Sequence, residues 1–478
     1  MSERHPLTQF TIRMLPFSDA VSDELPLRQL LRLSLFQVSV GMAAVMLLGT
    51  LNRVMIVELG VAAWIVAVMI ALPVVSAPFR ALLGFRSDTY RSSIGWKRIP
   101  FLWFGTLYQF GGLAMMPMAL LILGEGKQAI GPEWVGEAGA ALAFLLTGLG
   151  MHMTQTAGLA LAADRATEET RPRVVALLYV MFLIGMAVSA IVVGWLLRDF
   201  SDLRLVQVVQ GTAVVTIVLN IIALWKQERV QPMSKEEREA PRPTFRHAWA
   251  DFAKGGTAGR LLLVVFLGTM AFNMQDVLLE PYGGEILGLS VSSTTLLTAM
   301  WAAGALLGFA IAARRLTQGQ SPYRMAGWAL VAGLAAFSAV IFAAPLSSAL
   351  LFFIGAGLIG FGGGLFAVAT LTAAMTMPAE GLAGRGLALG AWGAAQATAA
   401  GLAIAIGGTV RDLVNSASAN GYLGQALADP ATGYSVVYHV EIGLMFATLI
   451  ALGPLARFQR TNPTPGESRP MGLADFPT

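Results

Sequence analysis

The chain has 478 residues, of which 56% are hydrophobic and 13% charged, with a mean hydropathy of +0.66 and a formal net charge of +4. That balance excludes an ordinary soluble domain, and the absence of cysteine excludes disulfides, thiolate metal sites and cysteine nucleophiles. The small positive charge does not argue for a nucleic-acid partner, because in a membrane protein what matters is the side on which charges lie.

Residues 1 to 29 mix Arg4, Arg13, Asp19, Asp23, Glu24 and Arg28 without a continuous apolar core, so no secretory signal is expected and the first span inserts itself. Crossing a bilayer takes roughly 20 apolar residues per helix. Twelve spans are predicted near 30–57, 62–84, 100–123, 138–162, 174–197, 204–225, 259–279, 292–313, 325–344, 349–375, 386–410 and 435–456. With both termini inside, all but Arg53, Lys127, Arg198, Arg204 and Arg411 of the 32 Lys and Arg residues fall on the cytoplasmic side, and this bias sets N-in, C-in.

Between the second and third spans, "GFRSDTYRSSIGWKRIPF" carries Gly84 and Asp88 at G-x-x-x-D spacing, followed by Gly95, Lys97 and Arg98. It resembles the cytoplasmic loop motif of the major facilitator superfamily, with extra residues between its two parts. Glycine allows close helix packing, and the carboxylate can cap a helix N-terminus or pair with arginine in a latch. The corresponding "GFAIAARRL" has Ala312 where Asp88 would align, so the latch is one-sided.

Helix 4 carries His152, with Gln155 close by. Imidazole suits both a chlorin magnesium and a hydrogen bond between helices. The link from Lys226 to Gly256 is charged and contains Pro232, Pro241 and Pro243. It divides the chain into a six-helix half at 1–225, a linker at 226–257 and a second half at 258–478. In "TFRHAWADFAKGG", Phe245, Ala248, Trp249 and Phe252 share one helical face, which predicts a short helix lying on the inner membrane surface.

Helix 7 brings Gln275, Asp276 and Glu280 into an apolar run and is expected to end at Pro281, Gly283 and Gly284. Asp276 and Glu280 fall one turn apart on one face. Aligning Leu51 with Leu278 sets Arg53 of helix 1 opposite Glu280. A contact between halves is expected there, from Arg53 to Glu280 and shared with Asp276; coupling to a proton or substrate is the alternative. Gly304 and Gly308 in helix 8, Gly360, Gly362, Gly363 and Gly364 in helix 10, and Gly386, Gly390 and Gly393 in helix 11 favour close contact. His439 and Glu441 stand in helix 12, the first as another magnesium or hydrogen-bond candidate, the second as an interhelical acceptor. No catalytic residues, dedicated metal ligands or phosphate loop stand out, and enzymatic chemistry is the least expected function.

A gapless shift of 212 residues aligns Gly148 with Gly360, Gly150 with Gly362, Leu159 with Leu371, Glu168 with Glu380, Arg173 with Arg385 and Ala176-Leu177 with Ala388-Leu389. Two related six-helix halves are the pattern of the major facilitator architecture, so the expected fold is an all-α integral membrane protein of twelve helices in two pseudo-symmetric halves. The strings "LRLSLFQVSVGMA", "LNRVMIVELG", "GWKRIPF", "QTAGLALAAD", "RPRVVALLYVMFLIGM", "QDVLLEPYGG" and "HVEIGLMFATL" together resemble the PucC and LhaA type of light-harvesting complex assembly protein, the bacteriochlorophyll delivery branch of that superfamily. The resemblance implies a multi-pass protein of a bacterial inner or intracytoplasmic membrane that hands bacteriochlorophyll a, as cargo, to nascent antenna subunits. Its implied partners are those subunits, membrane lipid, and pigment-synthesis enzymes or the insertion machinery. Two alternatives stay open: a proton-coupled solute transporter using Asp276 and Glu280, and an assembly scaffold that binds no pigment.

Overall fold

The computed structural model describes residues 25–51, 54–55, 63–90, 92, 94–123, 134–197, 201–228, 234, 244–254, 257–289, 291–377, 384–420, 422–424, 427, 429 and 431–461. Among them every regular element is helical. The helices are α1 (Leu27–Val45, continued by a π turn over Met46–Thr50), α2 (Ala63–Ser76), α3 (Phe79–Thr89), α4 (Ile99–Leu123), α5 (Trp134–Arg165), α6 (Arg171–Leu196) and α7 (Asp202–Leu224). A short α8 (Phe245–Ala253) leads into α9 (Thr257–Asn273), a 3-10 turn (Met274–Val277) and α10 (Leu279–Glu285). There follow α11 (Val291–Thr317), α12 (Pro322–Ala343), α13 (Ala349–Thr376), α14 (Arg385–Ala419) and α15 (Thr432–Thr461). Among the described residues, nine helical stretches are long and apolar enough to cross a membrane.

These helices are apolar nearly all round, so packing rather than amphipathicity decides which faces meet. Small residues let backbones approach. A side chain at Gly304 would run into the Gly357 carbonyl, and one at Gly360 into the Trp301 carbonyl, so α11 and α13 lie backbone to backbone. Buried polar groups add direction: Gln109 on α4 donates to the Ser39 carbonyl on α1 at 2.9 Å, and the Ser39 hydroxyl donates to Asn220 on α7 at 2.8 Å. The N-terminal helices α1 and α4–α7 and the C-terminal helices α9 and α11–α15 each pack largely among themselves. They meet mainly where α3 lies against α14 and α6 against α11 and α13.

Three details differ from the sequence reading. The second span continues to Thr89, so Gly84 and Asp88 lie on a helix and only Gly95, Lys97 and Arg98 belong to the connection. Asp276 and Glu280 do not share a regular helical turn, because the helix tightens into the 3-10 turn at Met274–Val277. The chain also does not stop at Pro281: that residue is in the first turn of α10, where a missing N–H costs least.

Candidate functional site

The densest polar assembly joins α3, α4, α5 and α14 at one end of the bundle, here the basic end. Gly95 has a φ of +87°, a left-handed turn that glycine adopts without strain. It delivers the chain to α4, whose first N–H groups have no helical acceptor of their own. Glu228, just after α7, accepts from the backbone N–H of Lys97 (3.2 Å), Arg98 (3.0 Å) and Ile99 (3.1 Å).

Arg98 is thereby held beneath α3. Its guanidinium meets Asp88 at 2.5 Å and Asp164 at 3.0 Å, and donates to the Ser87 hydroxyl at 2.5 Å. Burial alone would lower the Arg98 guanidinium, but the Asp164 and Asp88 carboxylates outweigh it and hold the group above its ordinary value. Asp88 also reaches across to α14, accepting from the N–H groups of Gly386 (2.8 Å) and Leu387 (2.7 Å). A carboxylate at a helix N-terminus faces the positive end of its dipole. Asp164 joins the same seam through Arg385 at 3.6 Å.

Glycine makes that approach possible. A side chain on Gly84 would overlap the Gly386 backbone, and one on Gly390 the Arg80 carbonyl. Over the seam lies α8, whose Phe245, Ala248 and Phe252 pack with Ala81, Phe85, Leu387 and Ala391. Ala312, at the Asp88 position of the string "GFAIAARRL", is buried without a polar contact to make.

One step deeper is Arg80, a buried cation that sequence reading missed. Its Nε donates to Thr156 at 3.0 Å and its guanidinium lies against Gly393, while Nη2 has no partner among the described residues. His152 stands nearby on α5. Its Nε2 is 3.0 Å from the Pro73 carbonyl; a carbonyl only accepts, so Nε2 carries the proton. Nδ1 is left as a buried acceptor without a partner among the described residues. Gln155 is half-buried beside it.

The break after α9 gathers a second polar set. The Gln275 backbone N–H donates to Glu441 Oε1 on α15 at 2.8 Å, and the Gln275 side-chain amide donates to Asp276 at 2.6 Å. Glu441 is fully buried, whereas Asp276 is exposed. Glu441 thus accepts a hydrogen bond from another helix. Arg53 and the Glu280 side chain lie outside the described residues, so the contact expected between them does too.

At the opposite end, the charge pairs among the described residues lie within the C-terminal helices. Arg411 pairs with Glu285 and with Asp412, both at 2.8 Å, and donates to Tyr434 at 2.7 Å. Tyr434 in turn donates to Glu285 at 2.6 Å. Beside this cluster a groove of about 930 Å³ opens between α10, the end of α12 and α15, with His439 in its lining. His439 is exposed and its Nδ1 lies 2.7 Å from the Ser435 carbonyl, so Nδ1 carries the proton and in the neutral ring Nε2 is the acceptor nitrogen. Among the described residues no three His, Asp or Glu side chains come together as a metal site. An imidazole here would supply one metal bond, with no further ligands gathered round it among the described residues.

The fold is that of the major facilitator superfamily. A solved bacterial homologue of the iron transporter ferroportin, in an outward-facing state, superposes with a TM-score of 0.68 over 90% of this chain and 98% of that one, at 15% identity. By sequence the chain is 62% identical to an uncharacterized protein of the puhA-bchM intergenic region of Rhodobacter capsulatus, over 99% of both chains. It is 55% identical to Protein PucC of Rhodovulum sulfidophilum, over 84% of this chain and 89% of that one. The family model described as PUCC protein matches residues 50–460. The chain belongs to the PucC family.

Proposed function

We propose that this protein is an assembly factor for bacterial light-harvesting antenna complexes, and that it holds bacteriochlorophyll a as cargo on its way to nascent antenna subunits. The observation that carries the reading is the state of His439. Metal-binding imidazoles commonly donate their second N–H to a backbone carbonyl, which fixes the tautomer and turns the other lone pair to the metal. His439 has this arrangement through Ser435, on the wall of a groove of about 930 Å³, within the few-hundred to thousand Å³ range of small-molecule sites. His152 offers a similar tautomer, but it is buried and tied to Pro73, and its role is to hold α5 to α2. Membership of the PucC family supports this cargo, and so do the apolar Ile286, Ile341, Val436 and Val440 in the lining, which also holds Glu285 and Asp429.

Purification in mild detergent from pigment-producing cells tests this, with absorption spectra and extracted pigment compared across wild type, His439→Ala and His152→Ala. Wild type should carry bacteriochlorophyll, His439→Ala should lose most of it, and His152→Ala should keep it while unfolding at lower temperature. Colourless wild type from a pigmented membrane overturns pigment holding in favour of a scaffold, and pigment retained by His439→Ala removes His439 as its ligand.

Proton-coupled transport is the second reading. It is favoured by one observation, the exposed Asp276 at a break in a spanning helix.

A further inference from the structure

The break between α9 and α10 contains more hydrogen-bond acceptors than donors. In a bilayer each backbone N–H released by an irregular turn needs a new acceptor, and Glu441 Oε1 supplies it for Gln275. The Gln275 side-chain nitrogen donates to the Phe272 carbonyl (3.3 Å) and to Asp276 (2.6 Å). Both partners only accept, so the amide orientation is fixed and Gln275 Oε1 points elsewhere as an acceptor. Among the described residues that oxygen has no donor, and neither does Glu441 Oε2; the Tyr438 hydroxyl, one turn away on α15, is also unpartnered there. Gln275, Tyr438 and Glu441 are all at most 2% exposed.

No described cation offsets these oxygens. The titratable groups facing Glu441 are Asp276 from the 3-10 turn and Tyr438 from its own helix. On its other packing partners, Arg260 on α9, Arg385 on α14 and Tyr323 with Arg324 on α12 stand near the helix ends. Arg411 and Asp412 lie one turn beyond Gly407, which packs on the Met274 carbonyl, and Arg411 is already paired with Glu285. A bare carboxylate beside a second carboxylate in such a place is heavily penalised. The unpartnered oxygens are shut off even from a water-sized probe, so whatever positive charge balances them occupies no volume of its own.

We infer that Glu441 is a proton-binding site, carrying a proton on Oε2 whenever the chain takes the broken-helix conformation at Met274–Val277. The step is simple: hydronium protonates the carboxylate, water leaves, and no electrons move. Protonation turns one acceptor into a donor for the neighbouring oxygens and removes the buried charge. Asp276, on the same turn, positions the Gln275 amide. The inference stands apart from pigment holding, since it concerns a different face of α15 from His439. It makes formation of the broken helix and uptake of one proton a single linked equilibrium.

Two measurements on the full chain in detergent test it. Infrared spectra at neutral pH, with hydrogen-deuterium exchange to assign bands, should show a protonated carboxylic acid C=O stretch that vanishes in Glu441→Gln and survives in Asp276→Asn. Glutamine retains the acceptor for the Gln275 N–H and imitates the protonated form, so this variant should fold. The chain has no native cysteine, so Met274→Cys gives a unique buried reporter. Its maleimide labelling, corrected for the reagent's own pH dependence with a cysteine at exposed Thr409, should rise with pH by at most about tenfold per unit, the limit for one proton. The rise should disappear in Glu441→Gln. A wild-type spectrum without the acid band, a band that persists in Glu441→Gln, or an equal pH response in both proteins overturns the inference. So does a response to sodium at fixed pH in place of the response to pH.

Discussion

The two ends of the bundle spend their charges differently. At the basic end, Asp88, Arg98, Asp164 and Arg385 link helices of the N-terminal set to α14, at separations along the chain of up to 299 residues. At the far end, Arg411, Glu285, Asp412 and Tyr434 are just as well connected, yet all belong to the C-terminal helices. Charges that bridge the sets respond to the sets moving apart; charges inside one set do not. The molecule is therefore seen with its basic end sealed, by polar contacts and close glycine approaches with the apolar cluster of α8 over them.

The most severe way to break this comparison is to remove Asp88. In Asp88→Ala the N–H groups of Gly386 and Leu387 lose their acceptor, and a buried Arg98 loses its closest carboxylate. Removing one partner of a buried pair costs about 3–5 kcal/mol. A cysteine placed at buried Ala391 should then be labelled by maleimide at least about a hundredfold faster than in the Asp88 background. An unchanged rate would mean that the seal does not depend on this carboxylate.

Glycine comes next. Gly390→Ala brings a methyl group into the Arg80 carbonyl, an overpacking that costs about 1–3 kcal/mol. It should raise labelling at position 391 by roughly tenfold or more. Gly408→Ala, on the same helix with open space around it, is the matched control and should change nothing. Equal effects from the two would show that helix propensity, not the approach of α3 to α14, was being measured.

The far end should give a smaller and differently placed response. Arg411 and Glu285 are 25% and 55% exposed in their side chains, and partly solvated pairs contribute about 1 kcal/mol or less. Arg411→Ala should lower thermal stability slightly and leave labelling at position 391 alone. A large change at position 391 would show that the two ends are coupled through α14.

Much of this was legible in the sequence because it depends on local composition. Apolar runs marked an all-helical membrane fold, with nine helical stretches among the described residues long and apolar enough to cross a membrane, and the G-x-x-x-D string with Arg98 contains one side of the seal. The other side was not legible, because the acceptor-hungry N–H groups of Gly386 and Leu387 are backbone atoms that any sequence supplies. Arg80 carried a readable signal, a lone arginine four residues before Gly84 in an apolar stretch, which was absorbed into the end of a span. The turn at Met274–Val277 left no glycine or proline signal. Its stabilising partner is Glu441, 166 positions away, so local periodicity continued the helix and put Asp276 and Glu280 on one face.

The finest test concerns Asp164, which touches Arg98 from the N-terminal set and Arg385 from the C-terminal set. Its side chain is 37% exposed and the contact with Arg385 is long, 3.6 Å, so water and salt screen much of what it adds. Asp164→Asn should weaken the seal by about 1 kcal/mol or less, a few-fold faster labelling at position 391 at low ionic strength. At high salt the difference from wild type should shrink toward nothing. The effect of Asp88→Ala should survive the same salt, because Asp88 and the Arg98 beneath it are 10% and 5% exposed and mobile ions do not reach between them. If both effects fade together, the buried and exposed carboxylates act as one screened network, and the seal is softer than its geometry indicates.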